Sequence, residues 1–378
     1  MRFKPNRLLG ITLLLVLSTI ASAKTLYVNG VSGSNLNNCL STTTACKTIR
    51  RAILLAASGD IIRVAAATYK ENLTIARNLT IVGGGAAKTI IDGRRSSTVV
   101  TISSPAHVTI SNVTIRNGAG TSIAGTREGG GILNQGTLQL INSTVSGNTV
   151  LTTNCEFCSA TGGGIYNSSG ATATISRSTI TGNMASYTLP NSPCGAWGGG
   201  ISNNGTVTIS NSTLSDNTAY CDALSGGVGG AISNGGAISI NNSTISHNTA
   251  NGLGGGISNF SSNTLLQNTI LANSPQGGNC YFSLMSEGYN LSSDGTCGLI
   301  GPGDMQNIDP LLGPLQKNGG PTQTMALLPG SPAIDAGNPS GCTDSSGHLL
   351  KTDQRGLPRP DKEDTGGCDI GAFEKQSD

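Results

Sequence analysis

Residues 198–217, GGGISNNGTVTISNSTLSDN, contain a pattern that this chain repeats five times. Each copy opens with a glycine-rich triplet and an isoleucine, and continues into β-branched residues that close on an asparagine. The isoleucines are spaced 33, 36, 31 and 25 residues apart, and the closing asparagines 31, 35, 34, 31 and 25. Both series shrink to 25 residues, so this is the unit and the excess forms loops. The isoleucines are Ile132, Ile165, Ile201, Ile232 and Ile257, and the asparagines are Asn117, Asn148, Asn183, Asn217, Asn248 and Asn273.

A unit this short, made of three runs of β-formers without a helical period, predicts one turn of a parallel β-helix. Within a unit, Val207, Ile209 and Leu214 alternate with small polar residues, which gives each run an inner and an outer face. Stacked turns bury the inner faces by placing isoleucine on isoleucine. Asparagine recurs at two phases, where its amide can bond the turns above and below and tolerate left-handed dihedrals. The sequence therefore predicts an asparagine ladder of Asn148, Asn183, Asn217 and Asn248, and a second of Asn142, Asn211, Asn242 and Asn268, interrupted by Arg177.

The extra residues of each unit all fall between the closing asparagine and the next glycine triplet. We therefore expect them to leave the solenoid at one corner and stack as a ridge. Aromatic residues are only 3% of the chain, yet this segment holds several of them, including the sole tryptophan. Aromatic faces beside polar groups suit a sugar ring or a protein partner, although the rings could instead pack under disulfide-linked loops. The predicted binding residues are Phe157, Tyr187, Trp197, Tyr220 and Asp222.

The chain begins with features of a secretory signal over residues 1–23: three basic residues, an apolar run and Ala21-Ser22-Ala23. Its removal would change the net charge from +2 to about −1, which argues against nucleic acid as a partner. All ten cysteines follow this segment, and export favours disulfides. Plausible local pairs are Cys39–Cys46, Cys280–Cys297 and Cys342–Cys368, which leaves Cys155, Cys158, Cys194 and Cys221 for the repeat loops.

Residues 24–82 predict an N-terminal cap and the first coils. Ile49, Ala52, Ile53 and Ala56 have helical spacing, and a helix there could cover the open end of the solenoid. The segments YVNG, GDIIRV, TYKENLTI and IIDG resemble the entry of the right-handed β-helices of the pectin-lyase-like superfamily. This resemblance implies an all-β, single-stranded right-handed parallel β-helix, with its repeat coils over residues 83–274.

Residues 275–378 predict the last coils and a C-terminal cap region. The runs EGYNLSSDGTCGLIGPGD, NIDPLLGPLQKNGGPTQTMALLPGSPAIDAG and TDQRGLPRPDKEDTGGCDIGAFE resemble the C-terminal region of choice-of-anchor Q proteins over residues 287–374. The resemblance implies a secreted or surface, adhesin-like β-helix protein. In this region we expect Arg355 or Arg359 to pair with a carboxylate over the last coil. A calcium site of Asp361, Asp364 and Asp369 is the alternative, and no other cofactor is expected.

Candidate catalytic residues are sparse. Between residues 129 and 286 the acidic side chains are Glu156, Asp216 and Asp222, too few for a stacked cluster of the kind that polysaccharide cleavage needs. Asp216 and His247 could meet on neighbouring coils as a surface ion pair. We therefore predict a non-catalytic, monomeric, extracytoplasmic protein that binds carbohydrate or a surface protein, with a polysaccharide lyase or hydrolase using Glu156, Asp216 and Asp222 as the alternative.

Overall fold

The structure is a computed structural model that describes residues 22–123, 125–153, 158–188, 195–222, 226–362 and 367–377. Three long parallel sheets wrap around one apolar core, and each turn of the chain adds one strand to each sheet. The fold is therefore the parallel β-helix that the repeat predicts.

The strands of these sheets are short, and most span three to five residues. Sheet A contains β1 (Thr25–Val28), β2 (Asp60–Val64), β5 (Leu79–Gly83), β8 (His107–Ser111), β13 (Thr137–Ile141), β18 (Thr172–Ser176), β23 (Thr206–Ser210), β27 (Ala237–Asn241), β31 (Thr264–Gln267) and β34 (Met285–Ser286). Sheet B contains β3 (Ala67–Tyr69), β6 (Thr89–Asp92), β9 (Thr114–Arg116), β14 (Thr144–Ser146), β19 (Thr179–Thr181), β24 (Thr213–Ser215), β28 (Thr244–Ser246), β32 (Ile270–Ala272), β35 (Leu291–Ser292) and β36 (Met305–Gln306). Sheet C contains β4 (Leu73–Ile75), β7 (Val100–Ile102), β12 (Ile132–Asn134), β17 (Ile165–Asn167), β22 (Ile201–Asn203), β26 (Ile232–Asn234), β30 (Ile257–Asn259) and β33 (Cys280–Tyr281).

Two smaller sheets come from the inserted segments, and a hairpin lies near the C-terminus. Sheet D contains β10 (Thr121–Ile123), β11 (Thr126–Glu128), β16 (Ser159–Thr161) and β21 (Gly195–Trp197). Sheet E contains β15 (Thr149–Thr152), β20 (Met184–Tyr187), β25 (Thr218–Cys221) and β29 (Thr249–Ala250). The hairpin pairs β37 (Leu312–Gln316) with β38 (Thr324–Leu327).

The repeat isoleucines stack in register, as the sequence predicts. Ile132 pairs with Ile165, Ile165 with Ile201, Ile201 with Ile232, and Ile232 with Ile257. All five side chains are fully buried in the core. Burying one such side chain is worth about 1.5–3 kcal/mol, so the stack stabilises each coil against the next.

A buried asparagine ladder runs parallel to this stack. The Asn148 amide donates to Asn183 Oδ1 at 2.9 Å, Asn183 donates to Asn217 at 3.0 Å, and Asn217 donates to Asn248 at 2.9 Å. Two asparagines that the spacing groups with them occupy a different position. Asn117 and Asn273 have φ of 55° and 56°, whereas the ladder members each follow a residue of positive φ. Asn117 and Asn273 therefore occupy the left-handed position that directly precedes the ladder position, one residue away from where the repeat spacing puts them.

The second predicted series turns corners and does not form a ladder. Asn142, Asn211, Asn242 and Asn268 have φ between 44° and 48°, as does Arg177. The amides of Asn211 and Asn242 donate to the carbonyls of Thr352 and Thr343, far along the chain. The left-handed dihedrals predicted here are confirmed, but the expected amide-to-amide bonds are replaced by bonds to the C-terminal segment.

A second ladder lies where the sequence analysis did not place one, at the last residue of each sheet C strand. Each amide in it donates to Oδ1 of the next at 2.7–3.0 Å, and all its members are buried. The ladder fixes the turn that joins sheet C to sheet A, and its members are Asn134, Asn167, Asn203, Asn234 and Asn259.

The α-helix of the described residues, α1 (Ile49–Leu55), confirms the predicted helical face. Ile49, Ala52 and Ile53 are buried and pack into the main core. The Thr48 hydroxyl accepts from the Arg51 N–H and caps the first turn. The helix contacts β1, β2 and β4, and its role as an end cap stays a prediction.

The C-terminal segment lies along the side of the solenoid, so its expected location over the last coil is wrong. Gln354 is fully buried and bonds Thr179 and Thr213, which lie on successive strands of sheet B. The backbone N–H of Ala372 donates to Thr244, another coil further on. The expected ion pair is present: Arg359 Nε lies 2.7 Å from Glu374 Oε2, with both side chains fully buried. The segment therefore covers sheet B over several coils.

The three predicted local disulfides, Cys39–Cys46, Cys280–Cys297 and Cys342–Cys368, are present. Cys158 and Cys221 are also disulfide-bonded, and both lie in the inserted segments. Cys155 and Cys194 lie outside the described residues. No helix among the described residues is both long and apolar enough to cross a bilayer.

Candidate functional site

The inserted segments form a two-sheet ridge, sheets D and E, along one edge of the solenoid. Sheet E strands follow the Asn148 ladder, and sheet D strands precede the glycine triplets, so the predicted single corner is confirmed. Small apolar side chains from both sheets pack between them, among them Val150, Ala160 and Ala185. The ridge is therefore an ordered extension of the coils with a small core of its own.

The ridge separates the aromatic residues that the sequence groups together. Tyr187 is fully buried, in contact with Cys158, Ala196 and Cys221, so it is not available to a ligand. Trp197 and Tyr220 are 47% and 38% exposed. Because Ala196 and Cys221 face the ridge core, strand alternation directs Trp197 and Tyr220 to opposite outer faces.

The other two predicted binding residues add little to a shared surface. The Tyr220 hydroxyl donates to Asp222, and this bond raises the pKa of Tyr220. Phe157 lies outside the described residues. The structure thus separates the predicted binding set, and of its described members only Trp197 lies on the side of the ridge that faces sheet C.

A groove runs along this side, and each of its three surfaces is one row of stacked residues. The floor row is the outward middle residue of each sheet C strand: Leu133, Tyr166, Ser202, Ser233 and Ser258. The ridge wall is the last residue of each sheet D strand and its continuation: Glu128, Thr161, Trp197, Val228 and Leu253. The turn wall is the residue that follows each asparagine of the ladder at the ends of the sheet C strands: Gln135, Ser168, Asn204, Gly235 and Phe260.

The first glycine of each triplet makes the corner between floor and ridge wall. Gly198 has φ of 67°, and a Cβ added there would lie 2.2 Å from the Ile201 carbonyl oxygen. The equivalent glycines, Gly129, Gly162, Gly229 and Gly254, have φ between 56° and 70° and the same close contact. A side chain is excluded by both conformation and space, so the triplet is the sequence feature that builds the groove.

The groove contains a cavity of about 410 Å³ that is lined by Trp197 and Phe260. Ser202 and Ser233 form its floor, and Asn204 lines the turn wall. Phe260 is 54% exposed and makes edge contacts with Tyr281 and Phe282, at ring-centroid distances of 6.3 and 5.8 Å. Aromatic rings therefore lie on both sides of a polar floor.

Phe260 and its two neighbours are absent from the predicted binding set, which contains residues of the insertions alone. A signal was present: Phe260 directly follows the last GGGISN motif, at the position of Asn204 in an earlier repeat. Aligning that position across the repeats would have placed an aromatic ring on the turn wall.

Toward the N-terminal end, Tyr166 bridges the two walls. Its hydroxyl accepts from the Asn204 amide at 3.0 Å and lies near the Glu128 carboxyl group. Burial raises the pKa of Glu128, and the nearby Tyr166 hydroxyl opposes that effect. Burial and the nearby Glu128 raise the pKa of Tyr166. Tyr166 is thus linked to Asn204, which lines the cavity.

The predicted catalytic residues do not meet in the groove. Asp216 and His247 occupy the same corner of successive coils, with φ of 58° and 59°. Each bonds the serine before it, Ser215 or Ser246, and no ion pair joins the two side chains. Asp222 lies beside Tyr220 on the far face of the ridge, and Glu156 lies outside the described residues.

The proposed calcium ligands already bond the backbone where they are described. Asp361 accepts from the Ser377 N–H at 2.7 Å, and Asp369 accepts from the Asp335 and Lys375 N–H groups. Asp364 lies outside the described residues. Within the described ranges no group of three or more His, Cys, Asp or Glu side chains is arranged to hold a metal ion.

Comparison with known proteins supports the fold. Residues 139–294 match the family described as right handed beta helix region. A comparison with curated protein sequences gives no match.

Similar solved structures include pectate lyase Pel9A, 15% identical, covering 94% of this chain and 98% of that one with a TM-score of 0.47. A pectin methylesterase from Aspergillus niger is 16% identical and covers 73% and 84%, with a TM-score of 0.41. A rhamnogalacturonan lyase is 12% identical and covers 82% and 96%, also with a TM-score of 0.41. The stacked strands and the family match together show that this chain folds as a right-handed parallel β-helix.

Proposed function

We propose that this protein is a secreted or cell-surface β-helix that binds carbohydrate in the groove between sheet C and the ridge, without cleaving it. The observation that carries the proposal is the pair of exposed rings, Trp197 and Phe260, on opposite walls of the same cavity. This assignment narrows the predicted ridge surface to the face that carries Trp197.

The chemistry of the lining supports a sugar ligand. The apolar faces of a sugar ring stack on aromatic side chains, and its hydroxyls exchange hydrogen bonds with groups that both donate and accept. Ser202, Ser233 and Asn204 are such groups, and they lie between the two rings. A cavity of about 410 Å³ is within the range of small-molecule sites.

A binding role is favoured because the acidic residues are dispersed. Glycoside hydrolysis generally needs two carboxyl groups roughly 5–9.5 Å apart across the scissile bond. Glu128 is the one carboxylate in the three rows that form the groove in the described part of the chain. Three described disulfides and the signal-like N-terminus support an extracytoplasmic location, and a surface protein remains the alternative partner.

The second candidate is a polysaccharide lyase or hydrolase, favoured by the proximity of the Glu128 carboxyl group to the Tyr166 hydroxyl. A carboxyl group with a raised pKa beside a tyrosine hydroxyl can transfer protons. Incubation with neutral and acidic polysaccharides, followed by assays for new reducing ends and unsaturated ends, separates the two functions. Turnover that Glu128→Gln or Tyr166→Phe abolishes would replace the binding proposal with the enzyme.

The binding proposal is tested with Trp197→Ala and Phe260→Ala. Each loses one aromatic contact, and we expect about a tenfold weaker affinity for any glycan that the parent binds on an array. Tyr220→Ala is the matched control, because its ring has similar exposure but lies on the opposite face of the ridge. Equal loss in all three variants would assign binding to the whole ridge, and no loss at Trp197 or Phe260 would remove the groove from consideration.

A further inference from the structure

The charges around the groove restrict its ligand. The floor, the ridge wall and the turn wall contain no lysine, arginine or histidine among the described residues. The nearest basic residue along the ridge wall is Arg127, directly before Glu128. Its strand partner is Ala160, which pairs in turn with Ala196, and both alanines face the ridge core, so strand alternation directs Arg127 away from the groove.

Arg127 lines a separate cavity on the ridge, together with Leu151 and Cys158. Among the described residues of the three rows, the one charged side chain is therefore the Glu128 carboxylate. A uronic-acid chain carries a carboxylate on each sugar, and proteins hold such groups with arginine, lysine or a bound cation. Glu128 lies two coils beyond Trp197 in the same row, so a uronic-acid chain that extends past Trp197 would bring a sugar carboxylate near the Glu128 carboxylate.

Resting on the function proposed above, we infer that the groove takes an uncharged glycan chain and rejects polymers of uronic acid. The neutral hydroxyl and amide groups of the lining match sugar hydroxyls, which donate and accept, better than carboxylates, which only accept. Trp197 and Phe260 belong to coils two steps apart, about 10 Å along the solenoid axis. The ligand would therefore lie along the stacked coils and contact both rings.

The test compares two ligands that differ only in charge. One is a hexasaccharide of galacturonic acid, and the other is the same hexasaccharide with every carboxyl group reduced to a primary alcohol. Cellohexaose and xylohexaose serve as further neutral probes. We expect a neutral probe to bind about tenfold or more tightly than the acidic one at low salt, with little dependence of its affinity on ionic strength.

Two variants of Glu128 make the assignment specific. Glu128→Lys should raise affinity for the acidic hexasaccharide several-fold at low salt. Glu128→Gln controls for loss of the negative charge without a new positive one, and thermal unfolding confirms that both variants fold. No change in acidic binding in Glu128→Lys would overturn the role of this residue.

The outcomes separate this inference from the proposed function. Acidic binding that equals or exceeds neutral binding in the parent, and that Trp197→Ala removes, would overturn the inference while leaving the groove as a carbohydrate site. Absence of binding to every probe, or binding that neither Trp197→Ala nor Phe260→Ala weakens, would overturn the groove itself and the inference with it.

Discussion

Replacing Asn217 with alanine tests whether the buried amide ladder holds the coils together. Its Oδ1 accepts from the backbone N–H and the amide of Asn183, at 3.1 and 3.0 Å. Its Nδ2 donates to the Ile180 carbonyl and to Asn248 Oδ1, both at 2.9 Å. The side chain has no exposed surface, so water cannot replace these bonds.

The cost follows from the groups that Asn217→Ala leaves without partners. The Asn183 N–H loses its acceptor, and the Ile180 carbonyl loses a donor. An unsatisfied buried polar group costs about 1–3 kcal/mol, so we expect the free energy of unfolding to fall by about 3 kcal/mol. Because each coil contacts only its neighbours, the loss should be concentrated in the coils on either side.

Asn273→Gly is the matched control, since repeat spacing places Asn273 in the same series. The structure gives it a left-handed backbone, which glycine adopts freely, and its N–H keeps the bond to Ser293 at 2.9 Å. Its unfolding free energy should therefore change by less than about 0.5 kcal/mol. Urea unfolding is followed by circular dichroism and by the fluorescence of Trp197, the only tryptophan. Equal effects of the two substitutions would refute the ladder as a source of stability.

Three further predictions concern the C-terminal segment and the glycine corner. Burial raises the pKa of Glu374 from 4.5 to about 8, with Arg359 opposing and Asp369 adding to the shift. The folded protein thus binds this proton more tightly than the unfolded chain, so stability should fall as pH rises from about 5 to 8. Glu374→Gln should flatten that slope in urea titrations, and an unchanged slope would assign the pH dependence to other groups. Gln354→Ala removes a buried side chain with four hydrogen bonds and should cost about 2–4 kcal/mol, with faster proteolysis of residues 312–362; proteolysis at the parent rate would contradict its anchoring role. Gly198→Ala should prevent native folding of its coil, whereas Gly170→Ala, with φ of 76° but open space around its Cβ, should cost about 1 kcal/mol in thermal unfolding. Similar losses in both variants would show that crowding at the corner is unimportant.

The coil architecture was predictable because the core residues repeat at a fixed phase. A one-residue slip in a strand exchanges its inner and outer faces, so the aligned isoleucines determine the register of sheet C. The corner positions were less certain. At each corner a position with left-handed backbone directly precedes the ladder position, and both positions favour asparagine. Spacing alone therefore assigned Asn117 and Asn273 to the ladder position, although their backbone is left-handed.

The site was only partly predictable. The common position of the insertions within each repeat predicted the ridge. Whether an aromatic ring faces the groove depends instead on strand alternation inside the inserted segments, whose sequences do not repeat. Tyr187 and Trp197 are both aromatic residues of the insertions, yet Tyr187 packs in the ridge core and Trp197 is exposed. The lateral position of the C-terminal segment depends on contacts such as Gln354 to Thr179, whose residues are 175 apart in sequence. No local pattern encodes such a pairing.

Stability and recognition use different rows of the same repeat, which makes the proposed site separable from the fold. The isoleucine stack and the two asparagine ladders lie inside the coils or at their corners, and they hold adjacent turns in register. The outward floor and wall residues lie outside the isoleucine stack and both ladders, so they can differ from coil to coil. They do differ: the floor changes from Leu133 and Tyr166 to serines, and the turn wall from Asn204 to Phe260. A substitution at Trp197 or Phe260 should therefore change binding while leaving the unfolding free energy nearly constant, and Asn217→Ala should weaken the coils before it alters the chemistry of the groove.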